Sequence, residues 1–267
     1  MPGVIATGKT KLIVEKNIFD AMQFHLEGLK VEHAAIPGLK PKVRYLYLLF
    51  KNSSMQNQRL QKGFIYTGLI TGLFGLVLQF ILMLQTRQAA LPESLIRFFS
   101  FFTILSNIMV VIFFTGHLLP ASKKLNNFVN KNEAATAMCM YILTVGVVYQ
   151  TILRQPIPLQ GWPRIADDIL HLYIPLLMLV YWMVFISSKK IDTKTIPYWL
   201  IYPAFYLVYT LVRGSIVKFY PYPFVNVDVL GYGKVWFNSA LLVLFFVGLS
   251  YLFAGIANWR HRQTATG

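Results

Sequence analysis

The chain has 267 residues, of which 56% are hydrophobic and only 13% charged, and its formal net charge is +15. A soluble protein of this length would leave too much apolar surface unburied, so the composition excludes an ordinary water-soluble enzyme or carrier. Basic loops beside anionic lipid headgroups explain the excess of Lys and Arg. We therefore expect membrane lipids as partners, and no nucleic acid.

Residues 1–62 form a polar segment that precedes the first long apolar run. Residues 3–10 match the phosphate-loop pattern GxxxxGK[ST] by chance, because that loop must follow a buried strand and only two residues precede it. Apolar side chains at helical spacing over 15–30 predict a short amphipathic helix on the membrane surface. The Pro and Gly residues of 37–51 are expected to end it. A start-site artefact, with Met55 as the true start, is the alternative for this segment.

Six apolar runs follow, and each has the length of about 20 residues that a helix needs to cross the hydrocarbon core of a bilayer. They are 63–84, 98–119, 134–153, 169–187, 197–217 and 235–257. The predicted fold is an all-α integral membrane protein, with a bundle of six transmembrane helices over residues 63–258 and a short basic tail over 259–267. No cleavable signal peptide precedes the first run, which is expected to serve as an uncleaved anchor.

The distribution of Lys and Arg predicts the orientation. Of the 25 basic residues, 18 lie on the side of the two termini and seven on the opposite side. Cytoplasmic loops carry the excess of Lys and Arg, so we expect a multi-pass protein of the plasma (inner) membrane with both termini in the cytoplasm. Ten of the 18 belong to the N-terminal segment, and without it the remaining eight against seven decide nothing.

Three polar residues on different apolar runs fall near the same side of the predicted membrane: Thr103, His171 and Arg213. On the second run, Ser100, Thr103 and Asn107 recur at helical spacing and predict one polar stripe. One interpretation makes Thr103 a nucleophile and Asn107 its orienter or an oxyanion donor. The other makes the stripe a set of hydrogen-bond partners between helices.

His171 follows Asp167 and Asp168 by four and three residues, so either carboxylate could face it on a helix. A carboxylate there would fix the imidazole tautomer and support His171 as a general base. Alternatively, both Asp residues cap a helix N-terminus. Arg213 would bind a lipid carboxylate or phosphate, stabilise an oxyanion, or reach to the headgroups as an anchor.

No metal site or cofactor is expected. His117 lies 14 residues after Thr103 on the same run, about 21 Å away, and so belongs to the opposite interface. The span interiors contain no acidic residue and no Lys, which argues against a retinal pigment and a proton-coupled transporter. The aromatic and Pro-rich loop 219–227 is either ordinary interfacial sequence or a lid over a cavity that faces lipid.

Three segments carry a family resemblance: FFTILSN over 101–107, DILH over 168–171 with the Pro that follows, and the late block that ends in YPYPF at 220–224. Together they resemble the Pr6Pr family of prokaryotic six-transmembrane proteins, from about Lys62 to the C-terminus. That family has no established activity, so the resemblance implies the six-helix architecture alone.

The chain is more distantly similar to the androgen-induced protein family, six-pass membrane hydrolases that cleave fatty acid esters of hydroxy fatty acids with a Thr and a His. The likeness rests on the context of Thr103 and Asn107, on His171 one turn before Pro175, and on a late Tyr-Pro-Phe. It implies Thr103 as the nucleophile and His171 as the base.

The leading functional prediction is an intramembrane Thr/His hydrolase of lipid (fatty acyl) esters. Thr103 attacks the ester and His171 takes its proton. Asp167 or Asp168 orients the imidazole, and Asn107 or Arg213 stabilises the oxyanion. The alternative is a non-catalytic membrane protein that binds a lipid or a membrane partner through the same polar cavity.

Overall fold

The computed structural model describes residues 41–118, 123–154 and 159–266, together with the helical residues 17–18, 20–21, 23–25 and 27. Side chains are described for that N-terminal group and for 55–118, 126–154 and 159–264. The phosphate-loop match, and the rest of the predicted amphipathic helix, lie outside the described residues. Contacts divide the chain into two units, residues 64–261 and residues 1–63 with 262–267. The site lies in the first.

Every regular element in the described ranges is helical. The α-helices are α1 (Pro41–Thr86), α2 (Leu91–Phe98), α3 (Phe102–Leu118), α4 (Lys123–Val129), α5 (Asn132–Val148), α6 (Gly161–Asp168), α7 (Ile174–Phe185), α8 (Ile196–Trp199), α9 (Ile201–Val217) and α10 (Val227–Thr266). Two π-helical segments, π1 (Tyr149–Leu153) and π2 (Ile169–Tyr173), continue α5 and join α6 to α7. Short 3₁₀ turns occupy Thr193–Thr195 and Pro223–Val225.

Five helical stretches are long and apolar enough to cross a membrane. They are Met55–Thr86, Asn132–Leu153, Gly161–Phe185, Thr193–Val217 and Val227–Thr264. Helices α2 and α3 meet at 68° and make a sixth if they form one broken span. Large apolar side chains cover the outside: Phe205 is 73% exposed and Ile216 74%. The prediction of an all-helical protein with apolar helices of membrane length is confirmed.

Several helix boundaries differ from the predicted ones. Helix α1 begins at Pro41 and not at Gly63, and α10 begins at Val227 and not at Val235; a Pro at the first position of a helix lacks only an N–H that would be unpaired anyway. The second predicted span, taken as one helix from Phe98, is broken before Phe102, so Ser100 precedes α3. The fourth predicted span belongs to a helical stretch that begins at Gly161 and not at Ile169. An apolar run marks only the part of a helix that faces hydrocarbon, and the helix itself continues through polar residues beyond the ends of the run.

The core lies where α5 packs between α3 and α7. Cys139 and Ile142 of α5, Phe114 of α3, and Ile174 and Met178 of α7 are all completely buried. Helices packed this closely hold their ends in fixed relative positions, and the candidate site is formed at one such end.

Three glycines let α1 approach this core. Gly68, Gly72 and Gly75 recur at helical spacing on one face of α1. A Cβ at Gly72 would lie 2.8 Å from a Val111 methyl, and one at Gly75 would lie 2.5 Å from an Ile169 methyl. Close approach through small residues is typical of helix packing in membranes, and here it places α1 against π2.

Candidate active site

The break between α2 and α3 is closed by tyrosine hydroxyls. Tyr206 Oη accepts a hydrogen bond from the Phe102 N–H at 3.2 Å and donates one to the Ser100 carbonyl at 2.8 Å. Tyr222 Oη accepts from the Thr103 N–H at 3.2 Å. The first N–H groups of a helix have no partner within it, and away from bulk water another group must supply one. Tyrosines from α9 and the following loop supply it here.

Thr103 is 7% exposed, and its Oγ1 lies 3.2 Å from Tyr222 Oη, with either hydroxyl able to donate. Burial raises the pKa of Tyr222, so its phenol stays protonated and can donate a hydrogen bond. Further hydroxyl pairs join the α3 region to α9, namely Ser100 Oγ with Tyr209 Oη at 3.0 Å and Ser106 Oγ with Tyr202 Oη at 3.2 Å. For Ser100, this geometry matches the expectation of hydrogen-bond partners between helices, whereas Ser106 was not part of the predicted stripe.

His171 and Tyr149 meet where the two π segments lie side by side. Their rings stack with centroids 3.8 Å apart and an interplanar angle of 18°. In π1 the Arg154 N–H reaches back five residues to the Tyr149 carbonyl. Single π turns inside α-helices occur frequently at functional sites, and each turns a side chain out of the regular helical register. Both rings are placed in this way.

Pro175 explains π2. It has no N–H, so the His171 carbonyl loses its usual partner four residues later, and the Ile174 N–H bonds the Ile169 carbonyl instead. Helix α5 packs tightly at this point: a Cβ on Gly146 would lie 3.0 Å from the Pro175 ring and 3.2 Å from the His171 carbonyl oxygen. Gly146 thus permits the contact that brings π1 and π2 together.

Asp167 is the carboxylate that faces His171. Its Oδ1 lies 3.0 Å from His171 Nδ1, and its backbone carbonyl oxygen, 3.1 Å away, is the hydrogen-bond partner of the same nitrogen. An Nδ1–H that donates to Asp167 leaves Nε2 as the basic nitrogen of the ring. Asp168 pairs instead with the Arg164 guanidinium, 3.4 Å away on an exposed surface. Because α6 begins at Gly161, neither Asp caps a helix N-terminus.

Asn107 ties α3 to π2. Its Nδ2 donates to the Thr103 carbonyl at 2.8 Å and to the Leu170 carbonyl at 3.3 Å. The side chain therefore connects the backbone of Thr103 with the residue next to His171. Its Oδ1 is buried and makes no hydrogen bond within the described residues. These two hydrogen bonds hold Thr103 of α3 in a fixed position relative to π2. Both are donated by Asn107 Nδ2, so its N–H groups are already paired with backbone carbonyls.

Arg213 is held in an ion pair. Its Nη2 lies 2.8 Å from Glu93 Oε1, and the Arg97 Nε lies 2.7 Å from the same oxygen. The Phe219 ring contacts both guanidinium groups, with centroid distances of 4.5 Å to Arg97 and 5.4 Å to Arg213. The sequence indicated Arg213 alone and gave no sign of Glu93 as its partner.

Thr103 lines two cavities. The first, which we call the polar cavity, has a volume of about 520 Å³, and its wall includes Thr103, His171, Tyr149, Tyr222 and Arg97. The second, the apolar cavity, has a volume of about 280 Å³ and lies between α5, α9 and α10. Thr103, Leu153 and Tyr222 belong to the walls of both. Arg213 lies outside both linings, whereas Arg97 takes a place in the polar one.

No group of three or more His, Cys, Asp or Glu side chains that could hold a metal ion occurs in the described ranges. The chain matches no family model, no curated protein and no solved structure. The resemblances drawn from its motifs therefore remain predictions.

The sequence reasoning missed Tyr149, Tyr222 and Arg97 as parts of the site. Tyr149 lies near the end of the third apolar run, on the same side as His171, so the depth argument applied to Thr103 would have found it. Tyr222 stood in a loop interpreted only as interfacial sequence or a lid. Nothing in the chain order indicates that its hydroxyl reaches Thr103, 119 residues earlier.

Proposed function

We propose that this protein is an intramembrane hydrolase of lipid acyl esters, with Thr103 as the nucleophile and His171 as the general base. The observation that carries the proposal is the place of Thr103 in the wall common to both cavities. An ester bound at Thr103 has its acyl chain in the apolar cavity and its alcohol part beside His171. A water-soluble hydrolase would not need an apolar cavity among helices of membrane length.

In this mechanism Thr103 Oγ attacks the acyl carbon and its proton passes to His171 Nε2, directly or through one water. The C–O bond of the ester breaks, and the departing alkoxide takes the proton from His171. Water then attacks the acyl-threonine and gives a proton to His171; the bond from the acyl carbon to Thr103 Oγ breaks, Thr103 takes the proton back from His171, and the fatty acid is released. Asp167 holds the imidazole in the required tautomer. The Tyr222 hydroxyl exchanges its hydrogen bond with Thr103 for one to the oxyanion.

The test is covalent labelling by a fluorophosphonate probe of the purified full-length protein in lipid nanodiscs. Labelling is expected for the wild type and lost in Thr103→Ala and His171→Ala. Thr144→Ala is the matched control, because Thr144 lines only the apolar cavity and its hydroxyl bonds the Met140 carbonyl. A folded wild type that does not react with the probe would overturn the proposal, as would a Thr103→Ala variant that reacts normally.

A second candidate is a non-catalytic membrane protein that binds a lipid through the same cavities. One observation favours it: within the described residues, the hydrogen-bond partner of Thr103 Oγ1 is Tyr222 and not a base. It predicts that Thr103→Ala retains both lipid binding and the cellular phenotype. Loss of both in that variant would count against it.

We further propose that the helices cross the plasma (inner) membrane six times, with α2 and α3 as one broken crossing and both termini in the cytoplasm. The support is the 18-to-seven distribution of Lys and Arg. In a Cys139→Ala background, a Cys at Gln88 should react with an impermeant maleimide in intact cells, whereas one at Asn130 should not. The reverse pattern would show the opposite orientation.

A further inference from the structure

The cluster of Glu93, Arg97, Arg213 and Phe219 carries more positive than negative charge. Both guanidinium groups bond the same oxygen, Glu93 Oε1, at 2.7 and 2.8 Å. One carboxylate thus balances two arginines, and the faces of the Phe219 ring add only a weak attraction for cations. The cluster has one positive charge left to neutralise.

Both arginines keep unused donors, but only Arg97, whose side chain is partly exposed, belongs to the wall of the polar cavity; Arg213 lies outside both cavities. Arg213 is 11% exposed in its side chain, and its Nη1 is buried with no hydrogen-bond partner within the described residues. Arg97 bonds Glu93 through Nε alone, in the same described part of the chain, and its side chain is 38% exposed. A guanidinium has five N–H donors, and leaving them unpaired away from water is unfavourable.

Arg97 directs this charge to the polar cavity. It lines the cavity together with Thr103 and His171, and the other strongly basic side chain in the wall is Arg87. Among the described residues, no Asp or Glu belongs to the same wall, and the nearby carboxylates of Glu93 and Asp167 are paired with Arg97 and His171. A cavity with this lining favours an anion at the Arg97 end.

We propose that Arg97 binds the carboxylate or phosphate group of an amphiphile whose apolar part extends past Thr103 towards the apolar cavity. Glu93 and Phe219 hold the guanidinium in place, and its two free Nη groups form the planar fork that matches such an anion. This deepens the proposed function by naming an anionic lipid as the substrate class. The claim that this lipid is a substrate rests on the proposed function, whereas the binding of its anionic group at Arg97 does not require catalysis.

The test measures binding to the full-length protein in phosphatidylcholine nanodiscs with four probes: dodecanoate, dodecyl phosphate, dodecanol and inorganic phosphate. Arg97→Gln should weaken both anionic amphiphiles roughly tenfold or more and leave dodecanol unchanged. Arg97→Lys, which keeps the charge but lacks the fork, should fall between. Arg164→Gln is the matched control, since it also removes an arginine from an i,i+4 carboxylate pair but lies outside the cavity.

Each outcome decides the proposal. Wild-type affinity of Arg97→Gln for both amphiphiles would overturn it, as would inorganic phosphate that binds as tightly as dodecyl phosphate. Competition by added phosphatidylglycerol supports it and identifies the occupant as a bilayer phospholipid, whereas its absence points to a free fatty acid or alkyl phosphate. Failure of the wild type to hydrolyse any ester, with retained Arg97-dependent binding, refutes only the proposed function.

Discussion

Replacing Asp167 with Asn tests the role of the carboxylate beside His171. The two groups are 3.0 Å apart, and their side chains are only 19% and 17% exposed. A hydrogen bond to a charged group contributes about 1.5–3 kcal/mol, and each 1.4 kcal/mol corresponds to about a factor of ten. Asn keeps the size of Asp167 and its backbone carbonyl, which still accepts from Nδ1 at 3.1 Å, but it removes the negative charge that stabilises the imidazolium formed when His171 takes the proton. We expect fluorophosphonate labelling to slow by about 10- to 100-fold.

The neighbouring Asp168 provides the matched control for this experiment. It has the same chemistry, but its partner is Arg164 at 3.4 Å on an exposed surface. Exposed ion pairs contribute about 0–1 kcal/mol, so Asp168→Asn should label within a few-fold of the wild type. The measurement is the pseudo-first-order rate of labelling at fixed probe concentration. Asp167→Asn at the wild-type rate, or an equal loss in Asp168→Asn, would refute the assigned role of Asp167.

Two further substitutions test the loop that follows α9. Gly214→Ala places a Cβ inside the Tyr220 ring and should lower the free energy of unfolding by about 1–3 kcal/mol, seen as a lower Tm in detergent. Gly248→Ala, with open space around its Cβ, is the control and should not melt earlier; equal Tm losses would contradict the packing argument. Tyr222→Phe removes the acceptor of the Thr103 N–H, which costs about 1–3 kcal/mol in stability, and should slow labelling; unchanged labelling would exclude Tyr222 from the chemistry.

The helical architecture was predictable because long apolar runs have few other stable forms in a membrane. The break between α2 and α3 was not, since its residues 99–101 contain no Pro or Gly. The Ser100 carbonyl and the N–H groups of Phe102 and Thr103, at the break, pair with Tyr206 and Tyr222, which lie more than 100 residues later in the chain. Contacts at such a separation leave no local pattern in the sequence.

The candidate site was predictable in part. Chain direction placed Thr103 and His171 at similar depths, and the structure puts both in the wall of the polar cavity. The choice between Asp167 and Asp168 was open, because residues three and four positions away on a helix are equally near. In the structure π2 sets the direction of the His171 side chain, and Asp167 is the carboxylate that it faces. Pro175 accounts for π2, because it lacks the N–H that the His171 carbonyl would otherwise bond.

The sequence by itself determined the apolar helices and the few polar residues that interrupt them, because hydrophobicity and chain direction act residue by residue along the chain. The tertiary structure decided which groups meet: Tyr222 with Thr103, Tyr149 with His171, and Glu93 with two arginines. Hydrogen bonds and ion pairs depend on distances of about 3 Å, and only packing fixes such distances between segments far apart in the chain.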